Sequence, residues 1–193
     1  MMWKLLTNKC GYLARAAGLL LCVLSGVANA EETQPWIMVD SRQQTLTVFA
    51  GQDKVLKHFS YVALGRGGVA GDRHRGDRTT PLGTFHVAWI NPKSRFGIFF
   101  GLDFPSLENA DRAYRDNLID RETYLNILDA VIERRVPPQD TPLGGQIGIH
   151  GLGGRDPRMH RSVNWTDGCI ALTDAQIRLL ARLVRIGTKV LII

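Results

Sequence analysis

Cysteine is scarce in this chain of 193 residues, and its placement excludes more than its number does. Cys10 and Cys22 fall within the first 30 residues, so residues 31–193 hold one thiol, Cys169, with no partner for an internal disulfide. Acidic residues are missing altogether from residues 1–30. A second long apolar run is missing beyond them, so the mature chain is expected to be soluble, without stable membrane insertion. Internal repeats, low-complexity tracts and linker composition are lacking too, which points to one domain. No motif supports nucleic-acid binding, and the histidines lack the paired spacing of zinc sites.

The first 30 residues read as a signal peptide. Lys4, Lys9 and Arg15 precede an apolar run from Ala16 to Val27, and Ala28-Asn29-Ala30 gives a small-x-small cleavage site before Glu31. Cys22 follows three leucines rather than a small residue, which argues against lipidation. Export to the periplasm or cell envelope is expected. All 18 acidic residues and all but three of the 24 basic ones lie beyond residue 30, so the mature charge is +3. That mild basicity suits an anionic envelope polymer.

Along residues 31–193, period-2 patterns dominate the flanks. Trp36–Asp40 and Thr45–Ala50 alternate as a hairpin around Ser41-Arg42-Gln43-Gln44, and Val55–Leu64 reads as a third strand. Gly65 to Thr80 is rich in glycine and arginine, and is expected to be a mobile surface loop. Thr84–Ile90 is another strand. Residues 109–135 change period: Tyr124, Leu125, Leu128, Val131 and Ile132 fall at helical spacing, a helix or helix pair closed by Pro137-Pro138. This insertion either supports packing or forms a lid beside the site. Thr173 and Gln176 form a capping box ahead of Ile177, Leu180, Ala181 and Val184; Gly187 stops that helix, and Lys189–Ile193 closes as a buried strand.

Cys169 stands out chemically. It follows Gly168, and His150 lies upstream at the end of a strand-like Gln146–Ile149, beside Gly151. A thiol attacks as thiolate, and a nearby imidazole is the usual means of forming one near neutral pH. Glycine beside the nucleophile lets backbone N–H groups turn toward a reacting carbonyl. The bland alternative is a buried core cysteine. His160, nine residues before Cys169, is a competing base, and a zinc site from Cys169, His150 and His160 is a competing metal centre. His58 and His86 sit in strand patterns and read as structural or exposed.

The spacing around these residues resembles the L,D-transpeptidase (YkuD) catalytic domain of bacterial cell-wall enzymes. That family's signature is His, fourteen to seventeen residues, then Ser/Thr-His-Gly-Cys, a hydrophobic residue and Asn. Here His150 is followed by fifteen residues, Gly151–Trp165, then Thr166-Asp167-Gly168-Cys169-Ile170-Ala171. An upstream Thr-Pro-x-Gly-x-Phe element is matched by Thr80-Pro81-Leu82-Gly83-Thr84-Phe85. The second histidine of the signature is Asp167 here, and its Asn is Ala171.

The resemblance implies a mainly β fold, a sandwich or barrel-like catalytic domain over residues 31–193 with a helical insertion and a C-terminal helix. It implies a covalent mechanism with no metal and no cofactor. Cys169 attacks a peptidoglycan stem peptide at the carbonyl of its third residue, and His150 acts as general base and acid. The Gly151 carbonyl orients His150, and backbone groups around Asp167, Gly168 and Cys169 hold the oxyanion. A carboxylate at Asp167 repels an acidic donor or alters the acceptor. Arg78 is a candidate for binding a substrate carboxylate, although a solvated loop arginine is the commoner case. The acceptor stays open: a second stem, a free D-amino acid, the lysine of a wall-attached lipoprotein, or water, which makes a carboxypeptidase or a hydrolase of existing peptidoglycan or lipoprotein–peptidoglycan links. A peptidoglycan-binding module without activity is the alternative of another class.

Overall fold

A computed structural model describes residues 34–193; the expected signal peptide over residues 1–30 lies outside the described residues. The chain is mainly β, with 34 % strand against 21 % helix. In order it forms β1 (Pro35–Asp40), β2 (Thr45–Ala50), β3 (Lys54–Ser60), β4 (Val69–Ala70), β5 (Thr80–Pro81), β6 (Gly83–Ser94), β7 (Gly97–Leu102), α1 (Leu107–Arg115), α2 (Arg121–Ile132), β8 (Gly148–His150), α3 (Pro157–Ser162), β9 (Ile170–Ala171), α4 (Asp174–Leu180) and β10 (Lys189–Ile192). Eight strands make one curled sheet in the order β3-β2-β1-β10-β6-β7-β8-β9, a half-barrel, while β4 and β5 pair apart.

The β1–β2 hairpin forms where the alternation places it. The Asp40 carboxylate accepts from the Arg42 and Gln43 amides at 2.9 Å, closing the turn. Trp36 stacks on its cross-strand partner Phe49 with 4.6 Å between ring centres. Ile37, Val39, Leu46 and Val48 turn inward to a core shared with Phe85, Phe100, Ile149, Ile170 and Ile192. Burying each such side chain contributes roughly 1.5–3 kcal/mol.

The long strand β6 joins the two halves of the sheet. Its first residues, Gly83–His86, pair with β10, and the part from Val87 to Ser94 pairs with β7. Register shifts between Val87 and Trp89 and between Asn91 and Ser94 bend it, which curls the sheet. It outruns the expected Ile90 because Pro92 falls within the second irregularity, where a missing N–H is tolerated.

Two sequence expectations change between β3 and β5. The third strand ends at Ser60, because Tyr61 takes φ +60; Val62–Leu64 then crosses to the far edge, where Ala63 and Ala171 exchange backbone hydrogen bonds of 3.1 and 2.8 Å. The Gly65–Thr80 segment is fastened at several points. Gly65 N–H donates to Thr80 Oγ1 at 2.8 Å, Arg66 N–H to the Thr166 carbonyl at 2.9 Å, and Arg75 N–H to Pro142 at 2.8 Å. Arg73 is buried within it.

The helical insertion is the pair α1 and α2, capped by Ser106 and Asp120. Its buried seam in α2 is Ile127 and Ala130, whereas Val131 and Ile132 are exposed. The pair is not a lid on the His150–Cys169 cleft. Arg112 and Asn109 of α1 instead donate to the Gly71 carbonyl at 2.9 and 3.3 Å, bracing the arginine-rich segment from behind. At the other end α4 begins at the expected box, with Thr173 and Gln176 capping each other. No helix among the described residues is long and apolar enough to cross a membrane.

Candidate active site

The site grows from two short parallel strands. β8 ends at His150 and β9 begins one residue after Cys169, with His150 in register with Ala171. Cys169, two residues before Ala171, returns to the same face by the period of a strand. Both side chains line one cleft of about 450 Å³, together with Phe96, Gln146, Arg95, Arg155 and Trp165.

His150 is 2 % exposed. Its Nδ1 lies 2.7 Å from the Gly151 carbonyl. A carbonyl only accepts, so Nδ1 carries the proton and Nε2 is left as the basic nitrogen. Phe96 stacks on the ring at 4.3 Å, and Trp165 meets it edge-on at 5.7 Å. Burial lowers the His150 pKa to about 4; the Gly151 hydrogen bond opposes this, while Arg95 and Arg155 add to it. The imidazole is therefore neutral at ordinary pH, as a general base must be.

Gly151 must be glycine for space. A Cβ there would lie 2.6 Å from both Asp174 Oδ1 and the Phe96 carbonyl. Asp174, at the start of α4, accepts from Leu152 N–H at 2.8 Å, so the loop leaving His150 is tied to that helix.

Cys169 sits in a tight turn. Thr166 Oγ1 donates to the Cys169 carbonyl at 2.7 Å and accepts from Gly168 N–H at 3.1 Å. The Gly168 N–H is thus engaged within the turn. The thiol donates to the Gln146 carbonyl at 3.3 Å. Burial pushes its pKa up to about 11; the Gly148 backbone and Arg73 pull it down, and Asp167 pushes it further up. In the resting cleft it is a neutral thiol sharing a cavity with a neutral imidazole.

Gly168 adopts φ +125, and a Cβ there would lie 2.6 Å from the Thr79 carbonyl and 2.7 Å from Arg73 Nη1. Gly168→Ala is expected to cost about 3 kcal/mol of stability through backbone strain and displacement of the turn. Thermal melting checks this: roughly 6–12 °C should be lost from Tm for a domain of this size. An unchanged Tm would mean that the turn yields freely.

The remaining expected residues are distributed as follows. Asp167 is exposed but paired: Arg66 binds it at 2.5 and 3.1 Å, and Arg78 Nε lies 3.7 Å away. Its charge is offset locally, so repulsion of an acidic donor is not what this carboxylate presents. Arg78 accordingly faces Asp167 at the rim. His160 is buried behind Trp165, whose indole N–H donates to its Nδ1 at 3.3 Å, and it does not line the cleft. The described residues contain no group of three His, Cys, Asp or Glu side chains placed to hold a metal ion. His58 accompanies Thr47 at 2.9 Å, and His86 accompanies Asp103 at 3.0 Å, away from the site. The clamp of Phe96 and Trp165 around His150 escaped the sequence reading. Trp165 adjoins the motif, but Phe96 comes from the β6–β7 turn and gives no local signal.

Comparison with known proteins follows the same lines. Residues 34–192 match the family model of YkuD, the L,D-transpeptidase catalytic domain. The fold is similar to the helical cell shape determining protein Pgp2 from Campylobacter jejuni, at TM-score 0.54 and 20 % identity, covering 82 % of this chain and 47 % of that one. It is similar also to Bd1075 of Bdellovibrio bacteriovorus, at TM-score 0.54 and 20 % identity, covering 86 % and 50 %. The chain spans about half the length of these structures. No curated protein sequence matches it.

Proposed function

This chain belongs to the L,D-transpeptidase catalytic-domain family, and from that premise we propose that it is an exported, periplasmic cysteine acyl-transferase acting on peptidoglycan stem peptides. The observation that carries the reading is the shared cleft. Cys169 and a buried, neutral His150 face one cavity, with His150 Nδ1 fixed on the Gly151 carbonyl.

In this mechanism a stem peptide places the carbonyl of its third residue over Cys169. As Sγ bonds to that carbon, the thiol proton passes to His150 Nε2. The carbonyl oxygen becomes an oxyanion held by backbone N–H at Cys169, and one such donor is typically worth roughly 2.7–4 kcal/mol. Collapse breaks the C–N bond, His150 returns the proton to the leaving amine, and a thioester remains on Cys169. An incoming amine or water, deprotonated by His150, then releases the acyl group. The thiol proton needs His150 only once the carbonyl is present, which matches a resting thiol held protonated.

Product analysis tests the assignment. Tetrapeptide muropeptides are incubated with the purified protein, with and without D-methionine, and the products are weighed by mass spectrometry. A D-methionine-exchanged or dimeric product is expected if an amine is the acceptor. Tripeptide alone marks a carboxypeptidase. If neither forms while the thiol is intact, the tetrapeptide stem is not the substrate, and existing cross-links or lipoprotein-linked stems take its place.

A further inference from the structure

A second cavity, of about 390 Å³, opens beside the cleft and shares Gly145 and Asp167 with it. Its walls carry four arginines, Arg66, Arg73, Arg75 and Arg78, against the one acid Asp167. The three outer guanidinium groups have anionic neighbours at the rim: Arg66 and Arg78 share Asp167, and Arg75 pairs with Asp140. Arg73 differs. It is 5 % exposed, its nearest carboxylate, Asp77, is 3.8 Å away, and its Nε and Nη1 have no hydrogen-bond partner.

The Arg73 head group lies under the nucleophile's turn, with Nη1 against Gly168 and Nη2 against Gly144. A buried guanidinium with unused N–H groups is costly unless an anion completes it. Planar guanidinium groups are the side chains best shaped to take a carboxylate in two parallel hydrogen bonds.

We propose that this arginine-lined groove binds a carboxylate on the acyl half of an acidic stem peptide, the half that becomes attached to Cys169. The inference rests on the acyl-transfer reading and names what that site recognises. The side is set by the proton. The leaving amine must reach His150, which lines the cleft and not the groove, so the leaving residue occupies the cleft. The groove is left to the acyl half, in stems that carry a carboxylate on the second residue or on the side chain of the third. Asp167 fits this arrangement: it lines both cavities, paired with Arg66 and Arg78 of the groove.

The test measures binding and turnover separately. Calorimetry on the Cys169→Ala protein compares a free-acid tetrapeptide with versions amidated singly at the second residue, at the third side chain or at the C-terminus. Amidation of one acyl-half carboxylate should weaken Kd roughly tenfold or more, the scale of a charge-assisted hydrogen bond. In Arg75→Gln/Arg78→Gln and in Arg73→Lys that discrimination should largely vanish. Unchanged labelling of Cys169 by iodoacetamide in the cysteine-containing versions shows that the site has kept its shape. Equal binding of acid and amides, discrimination that survives the arginine changes, or arginine-dependent discrimination only at the C-terminal carboxylate overturns the groove assignment. Wild-type turnover separates the two levels: no product on any stem with arginine-dependent binding intact sinks the reaction and keeps the groove. Product without discrimination sinks the groove alone.

Discussion

Replacing Cys169 by alanine is expected to reduce turnover of stem peptides to background, a loss on the order of 10⁴-fold or more, as when a nucleophile is removed from a catalytic set that acts as a unit. The same change should abolish any covalent adduct that the protein forms with a carbapenem. Stability should hardly move, because the thiol's hydrogen bond to the Gln146 carbonyl, at 3.3 Å, is a weak one. Intact-protein mass spectrometry and a melting curve read both halves of the statement. An adduct that survives in Cys169→Ala would place the nucleophile elsewhere. The raised thiol pKa adds a kinetic signature: alkylation by iodoacetamide should be slow at pH 7 and climb about tenfold per pH unit until the region of pH 11.

His150→Gln carries the second large effect. Loss of the base is expected to lower turnover on the order of 10³-fold while leaving Cys169 in place. The pH dependence of the wild type should follow the buried imidazole. With a folded pKa of about 4 against the ordinary 6.5, the base stays neutral well into acid, so the acid limb of kcat/KM should fall near pH 4. Stability carries the same signature with a definite sign. Below pH 6.5 the unfolded chain takes up a proton that the folded one refuses until about pH 4. Folding is therefore weakened as pH falls through that window, by up to about 3 kcal/mol. His150→Gln should flatten this slope. Denaturant titrations at pH 7 and pH 4.5 measure it, and equal slopes in both proteins would show that the imidazole is not held neutral.

What was legible in the sequence was legible because it was local. The β1–β2 hairpin and the Thr173–Gln176 capping box each depend on residues a few positions apart, whereas the helix expected to run to Gly187 ends at Leu180. His150 and Cys169 were found because glycines flank both and their spacing matches a known signature. What was missed depends on distance along the chain. Asp167 reads as a free negative charge until Arg66, 101 residues earlier, is brought to it. Arg73 lies in a stretch that reads as a mobile surface loop; it is buried in a segment fastened through Thr80, Thr166 and Pro142. The insertion was recognised as helical, but only the fold shows that α1 braces the arginines instead of covering the cleft.

The place of β10 in the sheet has a consequence for how the polypeptide is made. This late strand lies between β1 and β6, parallel to the first and antiparallel to the second. Without it the sheet falls into β3-β2-β1 and β6-β7-β8-β9, linked through the Ala63–Ala171 hydrogen bonds and each with a long raw edge. A nascent chain consequently cannot close its core until residues 189–192 are available, and closure spans some 150 residues of contour. Delayed closure keeps a polypeptide threadable through a narrow pore for as long as its tail is still to come. It also means that protease resistance should arrive in one late step during synthesis, rather than accumulating strand by strand.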